Sequence, residues 1–176
     1  MTIGLQPIYT QTVGAGGVSA ISFNNIPQTF TDLKVLLSVR PSRTAQTWDS
    51  VGCIFNSDSA GNYSSRLIYG GPSVASSNFG SNTAGLTFIS YASTASATAN
   101  TFGNGEIYIP NYTSANFKQV LGDSVAETNG TADWLMALSA GLWRSTSAIT
   151  SLTVYPVSGG TFAQYSTASI YGITKG

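Results

Sequence analysis

Apolar side chains recur at every second position along much of this chain. The clearest stretch sets Leu33, Val35, Leu37 and Val39 in one series, with Asp32, Lys34, Ser38 and Arg40 among the intervening residues. That period places the apolar series on one face of an extended segment and predicts a half-buried β-strand. A second stretch alternates through Trp134, Met136, Leu138, Ala140 and Leu142. Its other series carries Leu135, Ala137 and Trp143, so the strand is expected to lie deep, covered on both faces, with Trp134, Met136 and Leu138 in the core.

Shorter β-like runs occupy 8–13, 18–23, 51–55, 63–69, 86–91, 105–109, 117–126, 149–155 and 168–173. Between them stand turn-formers such as Gly14-Ala15-Gly16-Gly17, Gly70-Gly71-Pro72, Asn129-Gly130 and Ser158-Gly159-Gly160. Many short strands separated by Gly-rich turns predict an all-β fold, an antiparallel β-sandwich of jelly-roll-like form with about eleven strands. No window of helical length carries a convincing 3.6-residue period. The stretches 73–85 and 93–104 are rich in Ser, Ala, Thr, Asn and Gly and read as long surface loops. With no tandem repeat or long linker, residues 1–176 are expected to form one domain.

Composition sharpens this picture. Charged residues are only 8% of the chain, against about 25% in an average soluble domain, and the polarity comes from small side chains instead. Seven Lys or Arg balance seven Asp or Glu, and the cations are dispersed. Phosphate neutralisation dominates nucleic-acid affinity, so no nucleic-acid partner is expected. The N-terminus has no basic region followed by an apolar core, and the longest mostly apolar run, Trp134 to Trp143, falls well short of the ~20 residues of a membrane helix. Neither a secretory leader nor a membrane association is expected.

Histidine is absent, which removes the commonest general base, the His-dependent triads and the commonest transition-metal ligand. The one cysteine, Cys53, lies in the apolar run Val51-Gly52-Cys53-Ile54-Phe55 and reads as a small core residue. Paired carboxylates remain, drawn from Asp32, Asp49, Asp58, Glu106, Asp123, Glu127 and Asp133. Asp123 and Glu127 share a face of one strand but stand roughly 13 Å apart, too far for either glycosidase geometry. Asn56-Ser57-Asp58-Ser59-Ala60-Gly61 resembles part of a calcium loop, yet Ala60 and Leu67 occupy ligand positions, so a tight hairpin stabilised by Asp58 and Asn62 is expected. The Asn-x-Ser/Thr triplets at Asn62, Asn111 and Asn129 lack a secretory context. No enzymatic activity, cofactor or metal is expected. Aromatic side chains are the remaining candidates for recognition, and Trp48, in the polar setting Gln46-Thr47-Trp48-Asp49-Ser50, is expected to be exposed.

The order of short motifs adds a family likeness. The chain runs through Ile21-Ser22-Phe23, Ile26-Pro27-Gln28-Thr29-Phe30-Thr31-Asp32-Leu33, Phe55-Asn56-Ser57-Asp58 to Asn62-Tyr63, and Ile109-Pro110-Asn111-Tyr112. It closes with Trp143-Arg144-Ser145-Thr146-Ser147-Ala148-Ile149-Thr150 and Phe162-Ala163-Gln164-Tyr165-Ser166-Thr167-Ala168-Ser169-Ile170-Tyr171-Gly172-Ile173. This order resembles the small virion structural proteins of tailed bacteriophages. The likeness implies a capsid decoration, or cement, subunit on the outer surface of the head, made in the host cytoplasm and contacting the major capsid protein. The alternative is a receptor- or glycan-binding module of a tail fibre.

Local three-fold positions of an icosahedral shell, together with near-zero net charge, lead to the expectation of a homotrimer. Residues 1–10, opened by Gly4 and Pro7, are either an arm reaching a neighbouring chain or a first strand of their own sandwich. The candidate partner contacts are Ile3, Leu5, Ile8, Tyr9 and Trp48.

Overall fold

The computed structural model describes residues 4–73, 75–130 and 134–174. Among these the chain is all β, with twelve strands. They are β1 (Gly4–Thr12), β2 (Ile21–Phe23), β3 (Asp32–Val39), β4 (Trp48–Phe55), β5 (Tyr63–Gly70), β6 (Ala75–Thr83), β7 (Leu86–Ser93), β8 (Gly103–Ile109), β9 (Lys118–Ala126), β10 (Leu135–Trp143), β11 (Leu152–Pro156) and β12 (Thr167–Thr174). All pairings are antiparallel. An eight-stranded sheet has the order β1-β12-β3-β8-β9-β10-β5-β6, and a four-stranded sheet the order β2-β11-β4-β7.

Leaving out β5, β6, β9 and β10 exposes the underlying plan. Two four-stranded sheets remain, β1-β12-β3-β8 and β2-β11-β4-β7, between which the chain passes in the manner of a jelly roll. The four other strands enter as two hairpins and widen only the first sheet. The core between the sheets behaves as the period-two pattern requires. Leu33, Val35, Leu37 and Val39 are buried and meet Ile21, Phe23, Val51, Phe55, Leu152 and Val154 from the opposite sheet. Phe55, Tyr63 and Trp143 form an aromatic group with centroids 5.5–6.2 Å apart. Lys118 lies beside it, buried; its Nζ donates to the Asn116 and Ser147 carbonyls at 2.6 and 2.9 Å and sits 5.7 Å from the Trp143 ring centroid.

Three expectations need correction. The stretch 73–85 is no plain loop, because Ala75–Thr83 forms β6, paired along its length with β5. Polar, Gly-containing composition hid it, since its side chains have little core to enter. The β10 strand is covered on one face only, and its inward series is Leu135, Ala137, Ser139, Gly141 and Trp143. Met136 and Leu138 are 56% and 47% exposed, and Trp134 is half-buried just ahead of the strand.

The physical reason lies in β7, which crosses beneath the widened sheet at unusually short range. A Cβ on Gly122 would overlap the Ile89 carbonyl oxygen, one on Gly105 the Ser90 hydroxyl, and one on Gly141 would meet Leu86. Where two backbones approach so closely, only small side chains fit between them. The bulky members of β10 therefore turn outward.

Candidate functional site

The outward turn creates the feature that distinguishes this surface. Cross-strand register assembles the outer face of the large sheet into rows. One row runs Ser169, Leu36, Glu106, Asp123, Leu138, Ile68, Ser77. A second runs Ser38, Asn104, Val125, Met136, Gly70, Ala75, and a third runs Tyr171, Lys34, Tyr108, Leu121, Ala140, Arg66, Phe79. Leu36, Ile68, Phe79, Leu121, Val125, Met136 and Leu138 are all exposed large apolar residues. All but Leu36 belong to the two added hairpins. Neighbouring rows and strands bring them together into a patch, whereas isolated surface apolars would carry no such meaning. A shallow groove of about 1040 Å³ crosses the patch, floored by Leu36, Ile68, Val125, Met136 and Leu138 and reaching Glu106 and Asp123.

Charge is sparse on this face and mostly engaged. Lys34 Nζ lies 2.7 Å from Glu106 Oε1. Arg66 sits 5.1 Å from the Phe79 ring centroid and donates to the carbonyls of Ser65 and Gly80. Tyr108 donates to Asp32 Oδ2 at 2.6 Å, and this hydrogen bond to a carboxylate, with burial, pushes its hydroxyl up to about 12. Glu106 faces Asp123 directly across the β8–β9 pair, a contact the sequence does not reveal. Like charges so placed repel, and the Lys34 ammonium offsets part of that cost. No third carboxylate joins them among the described residues to make a cluster suited to a metal.

The other carboxylates named from the sequence lie elsewhere. Asp32 is buried and accepts from Tyr108 and from the Asn111 amide. Asp49 is buried and accepts from Arg43, Ser158 and the Ser50 amide. Asp58 closes its hairpin by accepting from the Ala60 amide and Asn62, and also takes the Trp143 indole N–H at 2.8 Å. These hydrogen bonds, the Trp143 one first, hold its carboxyl below the usual carboxylate range. Glu127 accepts from the Asn129 amide, and Asp133 lies outside the described residues. Cys53 is buried, and desolvation pushes its thiol far up, so it does not ionise at neutral pH.

The expected partner contacts do not form one site. Ile3 lies outside the described residues. Gly4–Thr12 runs antiparallel to β12 as an edge strand of its own sheet, the second of the two courses open to it. Leu5 and Tyr9 are 48% and 42% exposed there, while Ile8 is half-buried against the main core. Trp48 corrects the expectation of exposure. It opens β4 and packs with Tyr69 and Phe88 around Leu67, Tyr91, Leu135 and Ala137, meeting Tyr91 edge-on at 5.7 Å. A polar neighbourhood in sequence misled here because the added hairpins give Trp48 a second, smaller core to plug.

Sequence reasoning missed the patch itself. Its trace was the pairing of a small series (Gly122, Ser124, Ala126; Ala137, Ser139, Gly141) with a bulky one (Leu121, Val125; Met136, Leu138) on consecutive strands. No family model and no curated protein matches the chain.

Proposed function

We propose that this chain is a structural subunit that fastens to a larger protein assembly through the outer face of its widened sheet, as a capsid decoration protein on the head of a tailed bacteriophage. The observation that carries this reading is the contiguous apolar patch on β5, β6, β9 and β10. Two hairpins are added to a jelly roll, and their outward side chains are Ile68, Phe79, Leu121, Val125, Met136 and Leu138. Protein interfaces are depleted in charge at their centre and enriched in Met and aromatic residues, with charges at the rim. The patch approaches that distribution: it holds Met136 and Phe79 and has Lys34, Glu106 and Arg66 beside it, while Asp123, between Leu121 and Val125 on β9, is the one carboxylate inside it.

The partner is the major capsid protein, and the subunit stabilises the shell by buried area. A glycan-binding module is supported less well, because Trp48, the aromatic best suited to stack on a sugar, packs inward. The test adds purified protein to purified heads that lack it. A rise in the melting temperature of the heads that saturates with protein supports the reading, since a ligand of the assembled state stabilises that state by mass action. Unaltered heads, with saturable binding on a glycan array instead, would replace decoration by glycan recognition.

A further inference from the structure

The two sheets have four edges, and three of them are closed to further pairing. At one end of the small sheet β2 is only three residues long, and short edge strands offer little template. At the other end β7 turns its edge onto the large sheet, with the Ile89 carbonyl against Gly122 and the Tyr91 amide donating to Ser124 Oγ at 3.0 Å. On the large sheet β1 carries Pro7, which has no N–H, and a register shift between Pro7 and Tyr9. Proline and bulges are the usual means of blunting an edge.

The fourth edge, β6, has a register shift only at its far end, where Asn82 is bulged out between Ser81 and Thr83, and is regular from Ala75 to Ser81. Its nine residues, Ala-Ser-Ser-Asn-Phe-Gly-Ser-Asn-Thr, include no proline and no charge, and among the described residues it pairs with β5 alone. The backbone groups it presents can be identified. The Arg144 amide donates to the Asn62 carbonyl at 2.9 Å, so along β5 the even-numbered residues bond towards β10 and the odd-numbered ones towards β6. Leu67 is opposite Asn78 and Ser65 opposite Gly80, which leaves Ala75, Ser77, Phe79 and Ser81 with their N–H and C=O groups on the free side. The Asn78 side chain agrees, since its Oδ1 accepts the Phe79 amide at 2.7 Å and occupies the place of an absent strand.

We infer that β6 is a self-association edge, at which two copies of this chain pair β6 to β6 antiparallel about a two-fold axis at Phe79. The occupant is a second copy because the strand complements itself. Without charge it meets no like charge in its own image. Pairing about Phe79 sets Phe79 against Phe79 of the second copy, and Ser77 against Ser81. Phe79 is 67% exposed in the single chain and is the one large apolar side chain on β6. The axis stands perpendicular to the sheet, so both outer faces look the same way and the two patches join in one sixteen-stranded surface. A perpendicular two-fold closes at two copies, unlike the trimer expected from shell geometry.

The inference rests on the edge alone and not on what the outer face docks onto. Light scattering coupled to size exclusion, over a concentration series, tests it on the full chain. Twice the 18.3 kDa chain mass is expected for the wild type. Ser77→Pro removes a free-side N–H while sparing the β5 ladder, and Phe79→Lys places a charge at the axis; both are expected to yield the single-chain mass while keeping the β-sheet circular dichroism spectrum of the wild type. Met136→Glu, on the outer face but away from the edge, is expected to remain a dimer even where it abolishes binding to heads. A wild type that stays monomeric at high concentration, a trimer, or a dimer that survives both edge substitutions would overturn the inference.

Discussion

Gly122 lies directly beneath the carbonyl of Ile89, so close that a Cβ would overlap the oxygen. This contact sets how near β7 approaches β9, and thereby which series of β9 and β10 faces inward. Gly122→Ala is expected to force the strands apart at a cost of about 1–3 kcal/mol, the usual range for overpacking. Chemical denaturation of the purified variant checks it, and a loss under about 0.5 kcal/mol, the scale of an ordinary surface change, would show that β7 is free to shift.

Facing assignments on β10 make an opposed pair of predictions. Leu135 is 3% exposed and Leu138 47%. Leu135→Ala is expected to cost about 2–4 kcal/mol, while Leu138→Ser is expected to stay within about 0.5 kcal/mol of the wild type. Thermal unfolding of the two variants decides the register, and the reverse ranking would place the strand the other way round.

Asp58 links the 56–62 hairpin to Trp143, and its carboxyl is held low by that contact and by Asn62. A carboxyl whose folded value is depressed contributes stability above its unfolded value and loses it as pH falls through the folded one. Asp58→Asn is therefore expected to be less stable than the wild type at pH 7, by about 1 kcal/mol for exchanging a charged acceptor for a neutral one. The difference is expected to shrink below about pH 4. Melting curves across pH 2–7 test this, and a constant gap would remove the carboxylate charge from the account.

Arg40 organises the long loop between β7 and β8. Its guanidinium donates to the carbonyls of Thr98, Thr101 and Ala97 at 2.9, 2.5 and 3.0 Å. The planar guanidinium spreads these bonds over two terminal nitrogens, a span that a single ammonium does not match. Both Arg40→Ala and Arg40→Lys are expected to speed proteolysis within residues 95–101 without altering the sheet spectrum. Full protection in the Lys variant would reduce Arg40 to a point charge.

Much of the fold was legible because its signal is local. Leu33 to Val39 alternates with one apolar series and one mixed series, and only one face can be buried. The jelly-roll strands and the Asp58–Asn62 hairpin follow from such patterns and from turn residues. Strand β6 was hidden because a strand at an edge with no opposing sheet needs no apolar period. On β10 both series are apolar, so alternation alone cannot choose a face; the decision belongs to Gly105, Gly122 and Gly141, which are distant in sequence and act together only once β7 is in place. Trp48 and the outer patch failed for the same reason, since both depend on where the added hairpins dock.

If the outer face of the widened sheet is the docking surface, its central apolar side chains carry the affinity for heads. The wild type and the double variant Met136→Ser/Leu138→Ser are titrated onto purified heads lacking this protein, with the melting temperature of each free protein recorded alongside. At least about a 100-fold loss of affinity is expected for the double variant, two central anchors at roughly tenfold or more each, with the free protein as stable as the wild type. A double variant that decorates heads with wild-type affinity would contradict the account.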